Sequence, residues 1–446
     1  MNSSGSLRIT DKKGGVCVAK KVNIESPKPV KSMRTKYRQV DAGLILGLLT
    51  IFQVLSSIPA CVHENKLSMK NVLCFLGYIA MEWVYTFVMT AFFKKKNFEI
   101  ECIAFFLCGI GMVVTSSIYP DGLLKQLIAI IAGLVIYIFL VGLLKDVRRV
   151  MKMRVFIGII SLGGLAGSFV LIRAFFGSIN GAYNWMTIGG FSFQPSEIVK
   201  IAFIYVGAAT LEKLQSSRSV IKYYIYAVGC VGVLFLMRDF GTALIFFFTF
   251  IVISFLRSGD VRSIAFVCTG ALLGAGLIIF LKPTVASRFA VYRHIWEQID
   301  ASGYQQTRTI IYSLSGGLFG VGIGNGKLRH IFASTTDLAW GVVCEEMGLL
   351  IGFMIVIAFA VLTIYSVRVA KSSPSTFYAI ACIGACSMLL FQVCLNIFGI
   401  TDILPLTGVT LPFVSRGGSS MMCSWGLFAF IKAADLRTYP KLYKND

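Results

Sequence analysis

Charged residues are scarce in this chain, and their scarcity excludes an ordinary soluble protein. Only 14% of the 446 residues are charged, while 56% are hydrophobic. Soluble globular domains usually carry about 25% charged residues. Apolar stretches recur from Leu44 to Phe430, and each is long enough for a membrane helix. The composition therefore predicts an all-α, polytopic membrane bundle.

Paired cysteine motifs are also missing. No C-x-x-C pair occurs among the twelve cysteines, and most of them lie in apolar runs. A free thiol in such a run behaves as a small hydrophobic side chain, so zinc and disulfide frameworks are disfavoured. No metal site is legible from ligand spacing, and the cofactor is unknown. A divalent metal ion beside a phosphate group is neither required nor excluded by the motifs.

Acidic residues are few, numbering 21 against 42 basic ones, which gives a net charge of +21. Such a charge could indicate a nucleic-acid partner, but no DNA- or RNA-binding motif accompanies it. The basic residues concentrate in the N-terminal tail and in alternate short loops, such as 94–96 and 145–154. This pattern predicts cytoplasmic N- and C-termini and contact with anionic membrane lipids, and it disfavours nucleic acid.

Twelve apolar segments are candidate membrane-spanning helices, since a bilayer core needs about 20 helical residues. A polar tail, residues 1–40, precedes a two-helix hairpin, 41–98, which we interpret as an uncleaved anchor; a core, 99–436, and a short tail, 437–446, follow. A large external loop, about 283–340, is expected to be folded and functional. The twelve spans are predicted near 42–62, 71–93, 100–118, 123–144, 154–176, 195–212, 221–237, 240–256, 263–282, 341–367, 376–398 and 409–432.

Ionisable residues near predicted helix ends are candidates for a site, because charge is costly at membrane depth. Glu197 and Lys200 follow Pro195 and share one helix face. They could form a local ion pair at a capped helix end or the polar floor of an external cavity. Asp239 lies between two spans and could cap the next helix, or pair with Lys200 or Arg238.

A second group of carboxylates lies at the end of the large loop. Asp337 precedes Glu345 and Glu346. Successive helical residues point about 100° apart, so we expect only one of the two glutamates to face the interior. These groups could serve acid/base chemistry or ion coupling, or they could be buried partners of Arg or Lys.

The segment 407–420 interrupts a predicted span with Pro412 and several glycines. Irregular backbone at membrane depth is tolerated only where it is buried in protein or lines a cavity. Ser415, Arg416 and Ser419 would offer hydroxyls, a guanidinium and backbone N–H groups to an anion. This composition favours recognition of an anionic headgroup.

Together these segments resemble the SEDS family (shape, elongation, division and sporulation), which includes FtsW, RodA and SpoVE. The resemblance covers residues 100–436, and six motifs appear in the family's order. They are Asn184-Trp185 leading to Gln194-Pro195-Ser196-Glu197-x-x-Lys200; Asp239-Phe240-Gly241-Thr242-Ala243-Leu244; Gly303-Tyr304-Gln305; Ser315-Gly316-Gly317-Leu318-Phe319-Gly320-x-Gly322-x-Gly324; Thr336-Asp337 with Glu345-Glu346-x-Gly348; and Thr407-Gly408-x-x-Leu411-Pro412-Phe413-x-Ser415-x-Gly417-Gly418-Ser419-Ser420.

The resemblance implies a ten-helix core, so the first two spans are an addition. It also implies polymerisation of peptidoglycan glycan strands from lipid II at the outer face of the bacterial cytoplasmic membrane, during division, elongation or sporulation. The usual partner is a class B penicillin-binding protein, a transpeptidase. A carboxylate of the large loop is the proposed base, since a hydroxyl is a poor nucleophile until its proton is removed.

The large loop departs from the family pattern. The usual Asp-Pro pair before Gly-x-Gly-Tyr-Gln is Gln298-Ile299, and the earlier loop Asp position is His294. An amide is no general base, so Asp300 or Glu297 is the candidate catalytic residue. Smaller departures are Asn184, Thr335 and Arg416, where the family usually has Arg, His and Tyr.

Two other functions compete with the glycosyltransferase. A non-catalytic lipid II-binding scaffold for a transpeptidase is favoured by Gln298. A lipid II flippase or other transporter is disfavoured, because no inverted repeat stands out.

Overall fold

The computed structural model describes residues 42–63, 66–94, 97–178, 181–188, 191–211, 217–258, 265, 269, 291–373 and 375–439. The predicted tail 1–40, the predicted span 263–282 apart from residues 265 and 269, the start of the large loop and residues 440–446 lie outside the described residues. We label the described helices α1 Ala42–Ala60, α2 Met69–Ala91, α3 Glu99–Ile118, α4 Leu123–Leu143, α5 Val147–Leu171, α6 Pro195–Leu211, α7 Ser217–Leu236, α8 Phe240–Ser258, α9 Tyr304–Ser315, α10 Ala339–Glu346, α11 Leu349–Lys371, α12 Thr376–Ile400 and α13 Gly418–Ala434.

Seven helical segments of the described chain are long and apolar enough to cross a membrane. They correspond to α1–α5, α11 and α12, and two shorter apolar helices lie at Ile221–Leu236 and Phe240–Leu256. The polytopic helical fold predicted from composition is therefore confirmed. Two short antiparallel strand pairs join helices, namely Val62–His63 with Lys66–Leu67, and Met186–Ile188 with Phe191–Phe193.

The centre of the bundle is formed by α3 and α13, whose side chains are nearly all buried. Trp425 of α13 is fully buried and its ring lies 5.7 Å from Phe105 and 5.5 Å from Tyr137. A Cβ added at Gly133 of α4 would meet this indole at 2.5 Å. Glycine at such a crossing lets two helices approach closely, which is how membrane helices gain packing energy without a hydrophobic drive.

The N-terminal hairpin packs on α3. Tyr78 of α2 donates to the carbonyl of Phe105 at 2.7 Å, and Ser116 of α3 donates to the carbonyl of Ala60 at 2.7 Å. Inside the hairpin, Gln53 donates to the buried Glu82 carboxylate at 2.9 Å. Many other side chains of α1 and α2, such as Leu48, Leu55 and Phe87, are exposed and apolar, as expected for surfaces that face lipid.

Three predicted spans have wrong boundaries. The span 154–176 starts too late, because α5 begins at Val147. The span 341–367 is two helices, α10 and α11, separated at Met347 and Gly348. Gly348 has φ +91°, a left-handed conformation that interrupts a helix and that hydropathy does not register. The span 409–432 starts only at Gly418, because residues 409–417 are irregular and Phe413 has φ +64°.

The large loop is folded over its described part, residues 291–340, as predicted. It contains α9 and two single-turn 3-10 helices, Ile295–Glu297 and Leu328–His330. Gln306 of α9 donates to the carbonyl of Gly399 at 2.7 Å, which fastens the loop to the end of α12.

Candidate functional site

Polar side chains gather at one end of the bundle, where α6, α8 and α13 begin and α12 ends. The ammonium of Lys200 donates to both carboxylate oxygens of Glu197, at 2.9 and 3.0 Å, and to Gln392 Oε1 at 2.9 Å. Lys200 is 1% exposed and Glu197 is 4% exposed. The local ion pair, one of the two alternatives that their spacing allowed, is present, and its third member comes from α12. We call the following set the polar cluster: Gln194, Glu197, Lys200, Asp239, Gln392, Thr410 and Ser419.

Gln392 connects the ion pair to the segment 407–420. Its amide donates to the carbonyl of Thr410 at 2.9 Å, and the Thr410 hydroxyl lies 2.8 Å from Ser420 Oγ. Four residues along the same helix face, the Asn396 amide donates to the carbonyls of Val409 and Asp337, at 2.7 and 2.8 Å. Two buried amides of α12 therefore hold the irregular backbone that interrupts the last predicted span.

Asp239 caps α8, as one of the alternatives predicted. Its Oδ1 accepts the backbone N–H of Thr242 at 3.2 Å. Its Oδ2 accepts from Gln194 at 2.8 Å and from Asn184 at 3.1 Å. The carboxylate thus joins the loop before α6 to the start of α8, and its hydrogen bonds come from amides rather than from Lys200 or Arg238.

Residues 415–419 face the loop that carries Asp337. Ser415 donates to the carbonyl of Thr336 and accepts the N–H of Leu411 at 2.8 Å. Arg416 donates its backbone N–H to the carbonyl of Thr335 at 2.7 Å. Its guanidinium carbon lies 4.4 Å from the centre of the Tyr119 ring. Ser419 Oγ accepts the backbone N–H of Gln194 at 3.4 Å.

Asp337 lies beside this segment in a half-buried position. Burial raises the pKa of its carboxyl from 3.8 to about 6, although a hydrogen bond from Thr336 opposes the rise. A Cβ added at Gly408 would lie 3.3 Å from Asp337 Oδ2. The carboxyl can therefore change charge close to neutral pH, next to the irregular segment.

Glu345 and Glu346 are both buried, so the expectation that only one would face the interior was wrong. Glu345 accepts the backbone N–H groups of Lys327 and Leu328, at 2.6 and 2.9 Å. Glu346 accepts from Ser117 at 2.5 Å and from the N–H of Gly324 at 3.2 Å. The short α10 ends against residues 316–328, which we call the glycine-rich turn, so both side chains meet backbone donors of that turn.

The two candidate catalytic carboxylates lie on the described part of the large loop and are exposed. Glu297 Oε1 lies 3.0 Å from Nδ1 of His294. Asp300 is 90% exposed, and its Oδ1 lies 3.8 Å from the Arg308 guanidinium. Gln298, at the usual Asp position, accepts a hydrogen bond from Ser302 through Oε1.

No sequence pattern identified Gln392, Asn396, Thr410 or Asp402 as candidates. A signal existed for the two amides, because Gln392 and Asn396 are four residues apart in an apolar run and must share one helix face. Thr410 and Asp402 gave no such signal, because their contacts form only when the chain after α12 folds back on this helix.

The described residues contain no group of three or more His, Cys, Asp or Glu side chains that could hold a metal ion. Glu197, Asp239 and Glu345 are instead paired with Lys200, with side-chain amides and with backbone N–H groups, respectively. This donor set does not fit a metal centre built from protein ligands alone.

Comparisons with known proteins agree with this architecture. The sequence profile of the FtsW/RodA/SpoVE family of cell cycle proteins matches residues 102–439. Stage V sporulation protein E of Bacillus subtilis (strain 168) is 32% identical over 249 residues, which cover 54% of this chain and 68% of that protein. Peptidoglycan glycosyltransferase RodA of Mycobacterium leprae is 28% identical over 327 residues, covering 69% of this chain and 68% of the relative.

A solved structure shares the fold. It belongs to a peptidoglycan synthase complex described as coordinating polymerization and crosslinking, and it has a TM-score of 0.64 at 23% identity. The alignment covers 78% of this chain and 98% of that one. The region that matches the family profile contains all members of the polar cluster and the described part of the large loop. The chain therefore belongs to the FtsW/RodA/SpoVE family, the SEDS proteins.

Proposed function

We propose that this protein polymerises glycan strands of peptidoglycan from lipid II at the outer face of the bacterial cytoplasmic membrane. The observation that carries the proposal is the polar cluster, which lies within the family match and beside the folded loop. The relative RodA of Mycobacterium leprae, which is named a peptidoglycan glycosyltransferase, supports the reaction class.

The polar end of the bundle faces outward in this proposal, and both termini are cytoplasmic. Support comes from the opposite end, where α4 ends and α5 begins, because the basic run 145–154 lies there. Basic loops favour the cytoplasmic side. Lipid II would then reach the polar cluster from the outer leaflet.

The reaction needs two kinds of group. The acceptor sugar hydroxyl attacks the anomeric carbon of the donor while the bond from that carbon to the lipid diphosphate breaks. A base must take the hydroxyl proton, and preorganised donors must stabilise the diphosphate as its charge develops. The large loop supplies the base in this proposal, from the stretch that includes Glu297 and Asp300.

The diphosphate binds at residues 415–419 in this proposal. Arg416 supplies a guanidinium, and Ser415 and Ser419 supply hydroxyls. Lys200 provides positive charge deeper in the polar cluster. The substrate's sugar and peptide hydrogen-bond donors bind to Glu197, Asp239 and Asp337. Glu345 does not touch the substrate; it holds the glycine-rich turn through its two backbone hydrogen bonds.

The partner is a class B penicillin-binding protein, whose transpeptidase crosslinks the new strands. Support comes from the fold neighbour, which belongs to a complex that coordinates polymerization and crosslinking. A scaffold that binds lipid II without polymerising it is the second candidate. Gln298 favours the scaffold, because an amide cannot take up the acceptor proton.

The test is polymerisation of labelled lipid II by the full-length chain purified with its candidate transpeptidase. Wild type is expected to make glycan strands. Arg416→Ala should lower the rate by about 10²-fold or more, because it removes a cation from the developing diphosphate. Lys327→Ala is the matched control, since that exposed lysine lies outside the polar cluster.

Two results would contradict this proposal, the first its reaction and the second its diphosphate site. If the wild-type complex binds labelled lipid II but makes no strands, the protein is not a glycosyltransferase, and the scaffold function is the one that remains. If Arg416→Ala is as active as Lys327→Ala, residues 415–419 do not bind the diphosphate.

A further inference from the structure

A histidine and a carboxylate are paired on the exposed surface of the large loop. The 3-10 turn Ile295–Glu297 follows His294, and residues three apart eclipse each other in such a turn. His294 Nδ1 therefore lies 3.0 Å from Glu297 Oε1. The side chains are 57% and 73% exposed, respectively, so a substrate can reach both.

The turn that carries this pair is anchored to the end of α12. The Tyr292 hydroxyl donates to the carbonyl of Ile403 at 2.9 Å, and the N–H of Arg293 donates to Asp402 Oδ1 at 3.3 Å. Arg293 and Asp402 have φ values of +64° and +58°. Such conformations are unfavourable for residues other than glycine and persist where the surroundings impose them.

The other side of the turn is closed as well. Ile295 is fully buried beneath the pair. A Cβ added at Gly303 would meet the carbonyl oxygens of Ile295 and Gln298 at 2.5 and 2.9 Å. The loop thus folds back on itself, and His294 is held at a fixed place near the segment that leads into residues 405–417.

Among the side chains of this turn, His294 has the chemistry that a base requires. Gln298 cannot accept a proton into a stable cation, and its Oε1 already accepts from Ser302. Asp300 points into solvent near a guanidinium. A neutral imidazole that donates through Nδ1 to Glu297 has a free lone pair on Nε2, and the carboxylate fixes that tautomer.

We propose that His294 is the general base of the glycosyl transfer and that Glu297 is its positioning residue. The inference deepens the proposed function and rests on it. The acceptor oxygen forms a bond to the anomeric carbon, and the bond from that carbon to the diphosphate breaks with its electron pair leaving on the diphosphate. The acceptor proton moves to His294 Nε2, and Glu297 stabilises the resulting imidazolium. Solvent then takes the proton.

This assignment explains how the loop can work without a carboxylate at Gln298. It also gives a role to His294, which stands at the earlier loop position where the family has Asp. Glu297 stays in the machinery, but it acts through the imidazole.

The test is lipid II polymerisation by the full-length complex, measured against pH, with variants of both residues. His294→Ala and His294→Gln should each lose about 10²-fold or more in kcat, the usual loss on removing a general base. Labelled lipid II binding should be unchanged, which separates lost chemistry from a misfolded loop. His330→Ala is the matched control, because it removes another exposed histidine from a 3-10 turn of the same loop.

The pH profile and the positioning residue provide further readouts. The charged groups around His294 are Glu297 on its own turn, Arg293 beside it, Asp402 from the turn after α12, and Asp300 with Arg308 beyond it. In the wild type, kcat should fall toward acid pH, because an imidazolium cannot accept a proton. His294→Asp should retain part of the activity, because a carboxylate can also take up the acceptor proton. Glu297→Gln should lower kcat about tenfold at unchanged KM, with Glu297→Asp restoring part of it.

The outcomes separate this inference from the function on which it rests. If the wild type polymerises and His294→Ala keeps kcat within twofold, His294 is not the base and the glycosyltransferase stands. If Asp300→Ala alone abolishes kcat, the base is that carboxylate. A wild type that makes no strands overturns the proposed function and the base together.

Discussion

The ion pair of Lys200 and Glu197 illustrates what single residues contribute here. Both charges are buried, and removing one partner of such a pair leaves the other uncompensated at a cost of about 3–5 kcal/mol. Gln392 offsets part of the cost of burying the ammonium, because its Oε1 accepts a third hydrogen bond from Lys200. A cluster that is costly to break is well suited to hold helix ends in register around a polar substrate.

Asp337 gives a prediction at this scale. Its pKa is raised from 3.8 to about 6 by burial, so the folded protein holds the proton more tightly than the unfolded chain does. Its stabilising contribution is therefore present at low pH and is lost as the pH rises from 3.8 to about 6. At pH 7 the Asp337→Asn variant should be more stable than wild type by up to about 3 kcal/mol.

The measurement is thermal unfolding in detergent at several pH values. The difference between Asp337→Asn and wild type should shrink as the pH falls from about 6 to 3.8, because the Asp337 carboxyl then becomes neutral in both the folded and the unfolded state. A constant difference between pH 4 and pH 7 would mean that this carboxyl does not titrate in the window. The variant should also lose glycan synthesis if Asp337 binds donors of the substrate.

Among the secondary-structure elements, the short helix α10 shows most clearly how the structure differs from the hydropathy pattern. Its sequence continues the apolar run of α11, yet Gly348 ends the helix against the loop. Val321 donates its N–H to the carbonyl of Glu345 at 2.9 Å, and Leu349 donates to the carbonyl of Gly317 at 2.9 Å. The broken span gains backbone hydrogen bonds to the glycine-rich turn, which replace those that the break removes.

Gly348→Ala should therefore destabilise the protein strongly. Its φ of +91° is strained for alanine, and the new Cβ would clash with the carbonyl oxygen of Leu318. We expect a loss of roughly 2–4 kcal/mol in the free energy of unfolding.

The matched control is Gly163→Ala in α5, where a new Cβ meets nothing within 4 Å. That change should be neutral or stabilising by up to about 1 kcal/mol, because alanine has the higher helix propensity. Thermal unfolding of both variants checks the pair. Equal stability of the two would contradict the role assigned to the break.

At the scale of the whole molecule, the two ends of the bundle differ in chemistry. The polar cluster and the large loop occupy one end. At the other, Lys432 pairs with Glu101 at 2.7 Å, and Arg437 bonds Asp435 at 2.7 Å and Glu99 at 2.7 Å. Burial opposes ionisation of Asp435, but its hydrogen bonds from Arg437 outweigh burial and lower its pKa. These ion pairs tie the start of α3 to the end of α13.

The proposed orientation predicts opposite labelling of the two ends. Lys327 lies in the glycine-rich turn at the polar end, and Lys371 ends α11 at the other; both are exposed. In a Cys17→Ser, Cys268→Ser background, Lys327→Cys should react with a membrane-impermeant maleimide on intact spheroplasts. Lys371→Cys should react only after permeabilisation, and the reverse pattern would contradict cytoplasmic termini.

The sequence by itself determined the class of this protein and proposed most residues of its candidate site. Long apolar runs must be membrane helices, because backbone polar groups need internal partners in lipid. Spacing alone paired Glu197 with Lys200, since both lie on one helix face, and it allowed Asp239 to cap α8.

Only the tertiary structure decided how these pieces meet. Gln392 lies 192 residues from Lys200 along the chain, and no local pattern encodes that contact. The break at Gly348 and the irregular residues 409–417 depend on backbone partners supplied by distant turns, so hydropathy misplaced both helix boundaries. His294 pairs with Glu297 because a single turn of 3-10 helix brings the two side chains together. Contacts with the end of α12, and not sequence spacing, fix the position of that turn.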